Sequence, residues 1–136
     1  MEDKSGLEKS SIVLSRILRL AQQNGISHWQ LTFADLELDQ EYATFFWPCI
    51  KWLENEALVS VGQYARTSGG LANGAALNIV LTSKGIALLG TKITINETEI
   101  TLSQAVEAAA IDDGRYGRIG EFFGGLAGGF TKSLSS

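Results

Sequence analysis

The side chains able to do covalent or acid–base chemistry are few in this sequence, and their spacing does not assemble them. There is a single histidine, His28, between Ser27 and Trp29, and a single cysteine, Cys49, inside an apolar run. One of each cannot supply the ligand set of a zinc site. His28 beside an aromatic reads as a packed or capping residue, and Cys49 reads as a small core residue. Serines and acids are plentiful, but no G-x-S-x-G elbow marks a nucleophile. The acidic pairs Asp112–Asp113 and Glu97 with Glu99 lack the spacing of a calcium loop and read as exposed cap and hairpin charges. The run SGGLANG from Ser68 to Gly74 has glycines but no Gly-Lys-Ser/Thr, so it is not a phosphate loop. The expectation is a protein with no catalytic residues, no metal and no cofactor.

Charge narrows the partners. The chain of 136 residues carries 11 Lys and Arg against 15 Asp and Glu, a net charge of −4, so no global field draws it to a polyanion. A nucleic-acid surface would have to be local, gathered from Arg16, Arg19, Lys51, Arg66 and Lys84. Base reading would further need Arg, Asn or Gln on successive exposed turns of one helix, and around residues 40–55 only Gln40 and Asn55 stand, at the ends. Aromatics are denser than cations there. Tyr42, Phe45, Phe46, Trp47 and Trp52 exceed what a short helix needs to face a core, and an exposed subset would form a protein-binding hot spot.

The elements that must position these groups follow from periodicity. Leu7, Ile12, Val13, Ile17, Leu18, Leu20 and Ala21 recur at three and four residues and predict an amphipathic helix over 7–23, closed by Asn24-Gly25. Ile26 to Leu31 predicts a short strand, and Thr32 caps a brief helix holding Phe33, Leu36 and Leu38. Asp39 is a plausible N-cap for a third helix. Pro48 falls inside it, so either the helix kinks there or two helices meet with Pro48 at the first position of the second. Leu58 to Val61 predicts a strand, Gln63 to Ala76 a mobile hairpin loop, Leu77 to Leu81 the returning strand, and Thr82 or Ser83 the cap of a helix ended by Gly90.

The runs WLENEALV and LTSKGIALL, placed on either side of that loop, resemble the winged helix-turn-helix superfamily over about residues 11–90. The resemblance implies an α+β fold with a small antiparallel hairpin sheet, and, in its commonest use, a helix set into the DNA major groove. The helix that would enter the groove holds one base, Lys51, against Glu41, Glu54 and Glu56.

Residues 91–136 read as a C-terminal extension packed on or near that domain. Lys92 to Leu102 alternates apolar and polar residues, as a short hairpin or an extended arm, and Ser103 caps a helix over 103–111. The segment 114–130 has seven glycines in seventeen residues, on one half of a helical wheel, with Tyr116, Ile119, Phe122, Phe123, Leu126 and Phe130 opposite. Glycine costs helix stability, so this segment needs a partner surface. It docks on its own domain, joins a homo-oligomer or another protein, or touches membrane or stays disordered. Its run from Phe122 to Phe130 is nine residues, where a membrane span needs about twenty.

Together these readings predict a non-catalytic protein-binding module with contact residues Tyr42, Phe46, Trp47, Lys51, Arg66, Phe122 and Phe123. Its acidity suits a basic target. Small acidic proteins of this kind include toxin-neutralising immunity proteins and regulatory adaptors. The competing expectation is a DNA-binding regulator using Arg16, Arg19, Lys51, Arg66 and Lys84. The lone cysteine and an N-terminus without an apolar signal core predict a cytoplasmic location.

Overall fold

The computed structural model describes residues 6–95 and 97–109. The expected helix over 114–130, with Phe122 and Phe123, and the Asp112–Asp113 pair lie outside the described residues. The architecture is α+β, helices with two small antiparallel sheets.

Helix α1 (Gly6–Asn24) runs through the middle of the fold. Five consecutive residues, Ser11 to Ser15, are buried, which one amphipathic stripe cannot do; the helix is covered on most sides there. The two buried serines are satisfied within the helix, Ser11 Oγ donating to the Leu7 carbonyl at 2.8 Å and Ser15 Oγ to the Ser11 carbonyl at 2.7 Å. Leu7, expected in the apolar stripe, is exposed, and Leu14 is buried instead.

Strand β1 (Trp29–Leu31) is followed by a 3₁₀ turn, Phe33–Leu36, whose Thr32 N–H donates to Asp35 Oδ2 at 2.8 Å. A second 3₁₀ segment, Gln40–Phe45, starts at the expected cap Asp39 and passes directly into helix α2 (Phe46–Asn55). Of the two alternatives at Pro48, the chain takes the junction of two helical segments. Pro48 sits in the first turn of α2, two residues beyond the expected first position, where an absent N–H forfeits no intrahelical bond. Helix α2 ends with Ala57 in the left-handed region (φ 62°), the Ala57 N–H bonding to the Glu54 carbonyl and the Leu58 N–H to the Leu53 carbonyl, both at 2.9 Å. That pair of hydrogen bonds is a Schellman closure, usually built with glycine.

Strands β2 (Val59–Arg66) and β3 (Gly74–Leu81) pair in register from Val59↔Leu81 to Arg66↔Gly74. This corrects the expected loop over 63–76: the turn spans only residues 67–73. Gly74 is required there, because at φ 111° a Cβ would strike the Ala65 carbonyl oxygen. In the middle of β3, Asn78 is left-handed (φ 55°) and its Cβ leans over Gly62, where a side chain on β2 would come within 2.8 Å. β1 pairs with the other side of β3, and a one-residue register shift falls between Trp29 and Leu31.

Helix α3 (Ser83–Leu89) is capped by Thr82 Oγ1, which accepts from the Gly85 N–H at 3.0 Å. A Cβ at Gly85 would collide with the Leu58 carbonyl, so the glycine lets α3 sit against the start of the hairpin. The expected hairpin-or-arm is a hairpin, β4 (Lys92–Ile95) with β5 (Thr98–Thr101). Helix α4 (Leu102–Ala109) begins one residue before the expected cap Ser103. Its cap is Thr101, whose Oγ1 accepts from the Gln104 N–H at 3.1 Å while Gln104 Oε1 accepts from the Thr101 N–H at 2.9 Å. Leu102, Ala105 and Val106 join the same core as Ile17, Leu18, Phe46, Leu53 and Ile79.

Candidate functional site

Two elements meet at the one place where several of the sequence-predicted contact residues converge. On α2, Trp47, Lys51 and Glu54 stand at intervals of four and three residues and share a face. On β2, Tyr64 and Arg66 stand two apart and share a face. Between them lies a cleft of about 400 Å³ lined by Trp47, Pro48, Lys51, Tyr64 and Arg66.

The floor is aromatic. Phe46, fully buried, is set edge-on to Phe33 (5.8 Å between centroids) and to Trp47 (4.8 Å), and Trp47 meets Tyr64 at 5.8 Å. Two cations lie on these rings: the Arg66 guanidinium is 5.4 Å from the Trp47 ring and the Lys51 ammonium 5.3 Å from the Tyr64 ring. Glu54 Oε1 accepts from the Tyr64 hydroxyl at 2.8 Å and from Lys51 at 3.3 Å. Burial, then the hydrogen bond to Glu54 and the charge of Glu54, push the Tyr64 phenol above its ordinary range, so it stays protonated and donating. Arg66 has no carboxylate partner among the described residues.

The remaining predicted residues lie elsewhere. Tyr42, Phe46 and Trp47 are buried, 7%, 0% and 6% exposed, so their place is the core, and Trp47 meets the cleft only as its floor beneath Arg66. Arg19 Nε donates to Glu107 Oε1 at 3.0 Å on α4, and Arg16 reaches the Leu36 carbonyl at 3.4 Å. Lys84 is exposed on the first turn of α3. The structure thus brings Lys51 and Arg66 together, while Arg16 and Arg19 are engaged along α1. Tyr64 was missed because the sequence reading ended the strand at Val61. The signal was present in the spacing of Tyr64, an aromatic two residues before Arg66.

The groups considered for chemistry remain apart. His28 is exposed, and the buried Cys49 thiol is pushed up to about 12 by desolvation, against the smaller opposing effect of the Ser10 side chain; the thiol lies 3.7 Å from the Ser10 carbonyl. Among the described residues no three His, Cys, Asp or Glu side chains cluster as metal ligands, and no helix is long and apolar enough to cross a membrane. Comparison with protein-family models, with curated proteins and with solved structures finds no match to this chain.

Proposed function

We propose that this chain is a non-catalytic protein-binding module on a winged helix-turn-helix scaffold, and that the α2–β2 cleft is its contact surface. The scaffold reading is supported by the order helix, strand, helical segments, hairpin, and by the sheet order β1-β3-β2, in which the short first strand lies outside the hairpin. The observation that carries the functional reading is the pairing of Trp47 with Arg66 and of Tyr64 with Lys51 in one cleft. Trp, Tyr and Arg are the residue types that anchor protein interfaces, because they join large contact area to directed polar groups.

The same geometry weakens the nucleic-acid reading. Lys51 is partly neutralised by Glu54, Arg19 by Glu107, and Lys9 by Glu41 at 3.7 Å, so few cations remain for phosphates. The expectation of a basic target applies to the acidic surface as a whole, whereas the cleft itself presents cations.

The test is a salt titration of the full chain against random duplex DNA. The expected result is no micromolar binding at physiological salt. Micromolar or tighter binding that falls steeply as salt rises would overturn the protein-partner reading in favour of a DNA-binding regulator. A partner recovered from the native cell should be lost on Arg66→Glu.

A further inference from the structure

Strand β2 is an edge. In the sheet order β1-β3-β2 the central strand is β3, so β2 is paired on one side only, over eight residues. Among the described residues no other strand meets its outer side, and none of the backbone bonds made outside the regular elements involves Val59 to Arg66. Alternate residues of the strand therefore direct N–H and C=O groups to the free edge.

Natural edge strands are generally blunted by charged residues, above all lysine, by proline, by bulges or by shortness, because an open edge pairs with other chains. β2 carries a single charge, Arg66, at its last position. It has no Lys and no Pro, it is the longer of the two edges, and the sheet's one register shift lies on the far side, between β1 and β3. Ser60, Gly62, Gln63 and Arg66 are exposed along it. Beside this edge runs the cleft between β2 and α2, with exposed Pro48 offering apolar contact above the buried Trp47 ring and Arg66 a guanidinium without an ion pair among the described residues.

We propose that β2 receives an extended segment of a partner protein as an added strand, with the segment's alternate side chains, apolar and acidic, entering the α2–β2 cleft. Main-chain bonds to the edge supply affinity and the period of two supplies selectivity, since every second side chain faces the cleft. The acidic residue is specified by Arg66, which exchanges a ring contact for a charge-assisted fork with a carboxylate. This inference rests on the protein-binding reading and adds the form and chemistry of the bound segment.

The test follows backbone amide signals of the full-length labelled protein during titration with a capped peptide whose every second residue is valine and glutamate in turn, with threonine between them, so that one face carries both. Two controls accompany it: the matching valine–lysine peptide, and a valine–glutamate peptide methylated on every backbone nitrogen so that neither of its edges can pair. The expected result is shifts along Val59 to Arg66 and at Trp47 and Lys51, binding at least about tenfold weaker for the lysine peptide, and loss of binding for the methylated one. Arg66→Glu should reverse the preference between the two charged peptides. Equal binding by the methylated peptide, or no shifts along β2, overturns strand addition while leaving the protein-binding reading to the duplex titration. Two further outcomes also overturn it. Concentration-dependent shifts along β2 without peptide would assign the edge to a second copy, and protection from exchange, in the monomer, of the alternate β2 amides that do not pair with β3 would show this chain already covering it.

Discussion

The α1–α4 contact and the α2–β2 cleft use the same residue types to opposite ends. Between α1 and α4, both oxygens of Glu107 are taken, one by Arg19 at 3.0 Å and the other by Gln22 at 2.8 Å, and the Gln22 amide also donates to the Ser103 carbonyl at 3.2 Å. Beneath that bridge Leu102, Ala105 and Val106 are buried. In the cleft, Glu54 holds Lys51 and Tyr64, while Arg66 rests on Trp47 without a carboxylate among the described residues. A cation matched to an acid of its own chain fastens two elements. One parked on a ring gains only about 0.5–1 kcal/mol at an exposed site and exchanges that contact readily for a partner's anion.

The comparison breaks most severely at the floor of the cleft. Phe46→Ala removes a fully buried ring wedged between Phe33 and Trp47 and should cost about 3–5 kcal/mol in chemical denaturation, dismantling the cleft with the core. A cost below about 1 kcal/mol would mean that the rings are not packed as described. Next in size is a gain. Ala57→Gly relieves a left-handed alanine at the closure of α2, just before β2, and should stabilise by roughly 1 kcal/mol without disturbing either region. A neutral or destabilising result would place the strain elsewhere.

Glu107→Gln probes the other side of the comparison. Partial burial raises the Glu107 carboxyl, but hydrogen bonds from Gln22 and Arg19 and the Arg19 charge outweigh it, leaving the group below its ordinary value of 4.5. A lowered folded value means the unfolded chain binds the proton more readily. The contribution is present above the ordinary value and fades as pH falls through the lowered one. Because both partners are substantially solvent-exposed, the loss at pH 7 should be about 0.5 kcal/mol. Urea midpoints of the wild-type and Gln chains should converge as the pH is lowered below 4.5. A difference that persists at low pH would show that the bridge acts through packing and not through charge.

How much of this was legible in the sequence depended on whether a residue's local chemistry determines its surroundings. A cap at Thr82 or Ser83 follows from L-T-S-K-G, since a hydroxyl oxygen takes the exposed N–H, and the structure selects Thr82; the close approach of Gly85 to Leu58 comes from the fold and not from the local sequence. The hairpin was underestimated because Gly62 to Gly74 is rich in small residues, and the register that makes them strands comes from cross-strand pairing that periodicity does not encode. For the same reason Tyr64 escaped notice while Trp47, Lys51 and Arg66 were found. Tyr42 and Phe46 were misplaced on the surface because the stretch from the 3₁₀ segment Gln40–Phe45 into α2 is apolar on several sides and does not announce which side faces out.

The smallest expected effect sharpens the comparison furthest. Arg66→Ala removes an exposed side chain whose one identified contact is the Trp47 ring, so stability should change by less than about 0.5 kcal/mol. The Trp47 fluorescence should nevertheless shift, because the ring loses the cation that covers its face. Both readouts are needed. If Arg66→Ala destabilises as much as Phe46→Ala, the guanidinium is a structural clamp like Arg19, and the distinction between the two regions disappears. If stability holds while fluorescence changes, the cation is removable without harm to the fold, which is the property a residue must have if its contact is to be exchanged for one on another protein.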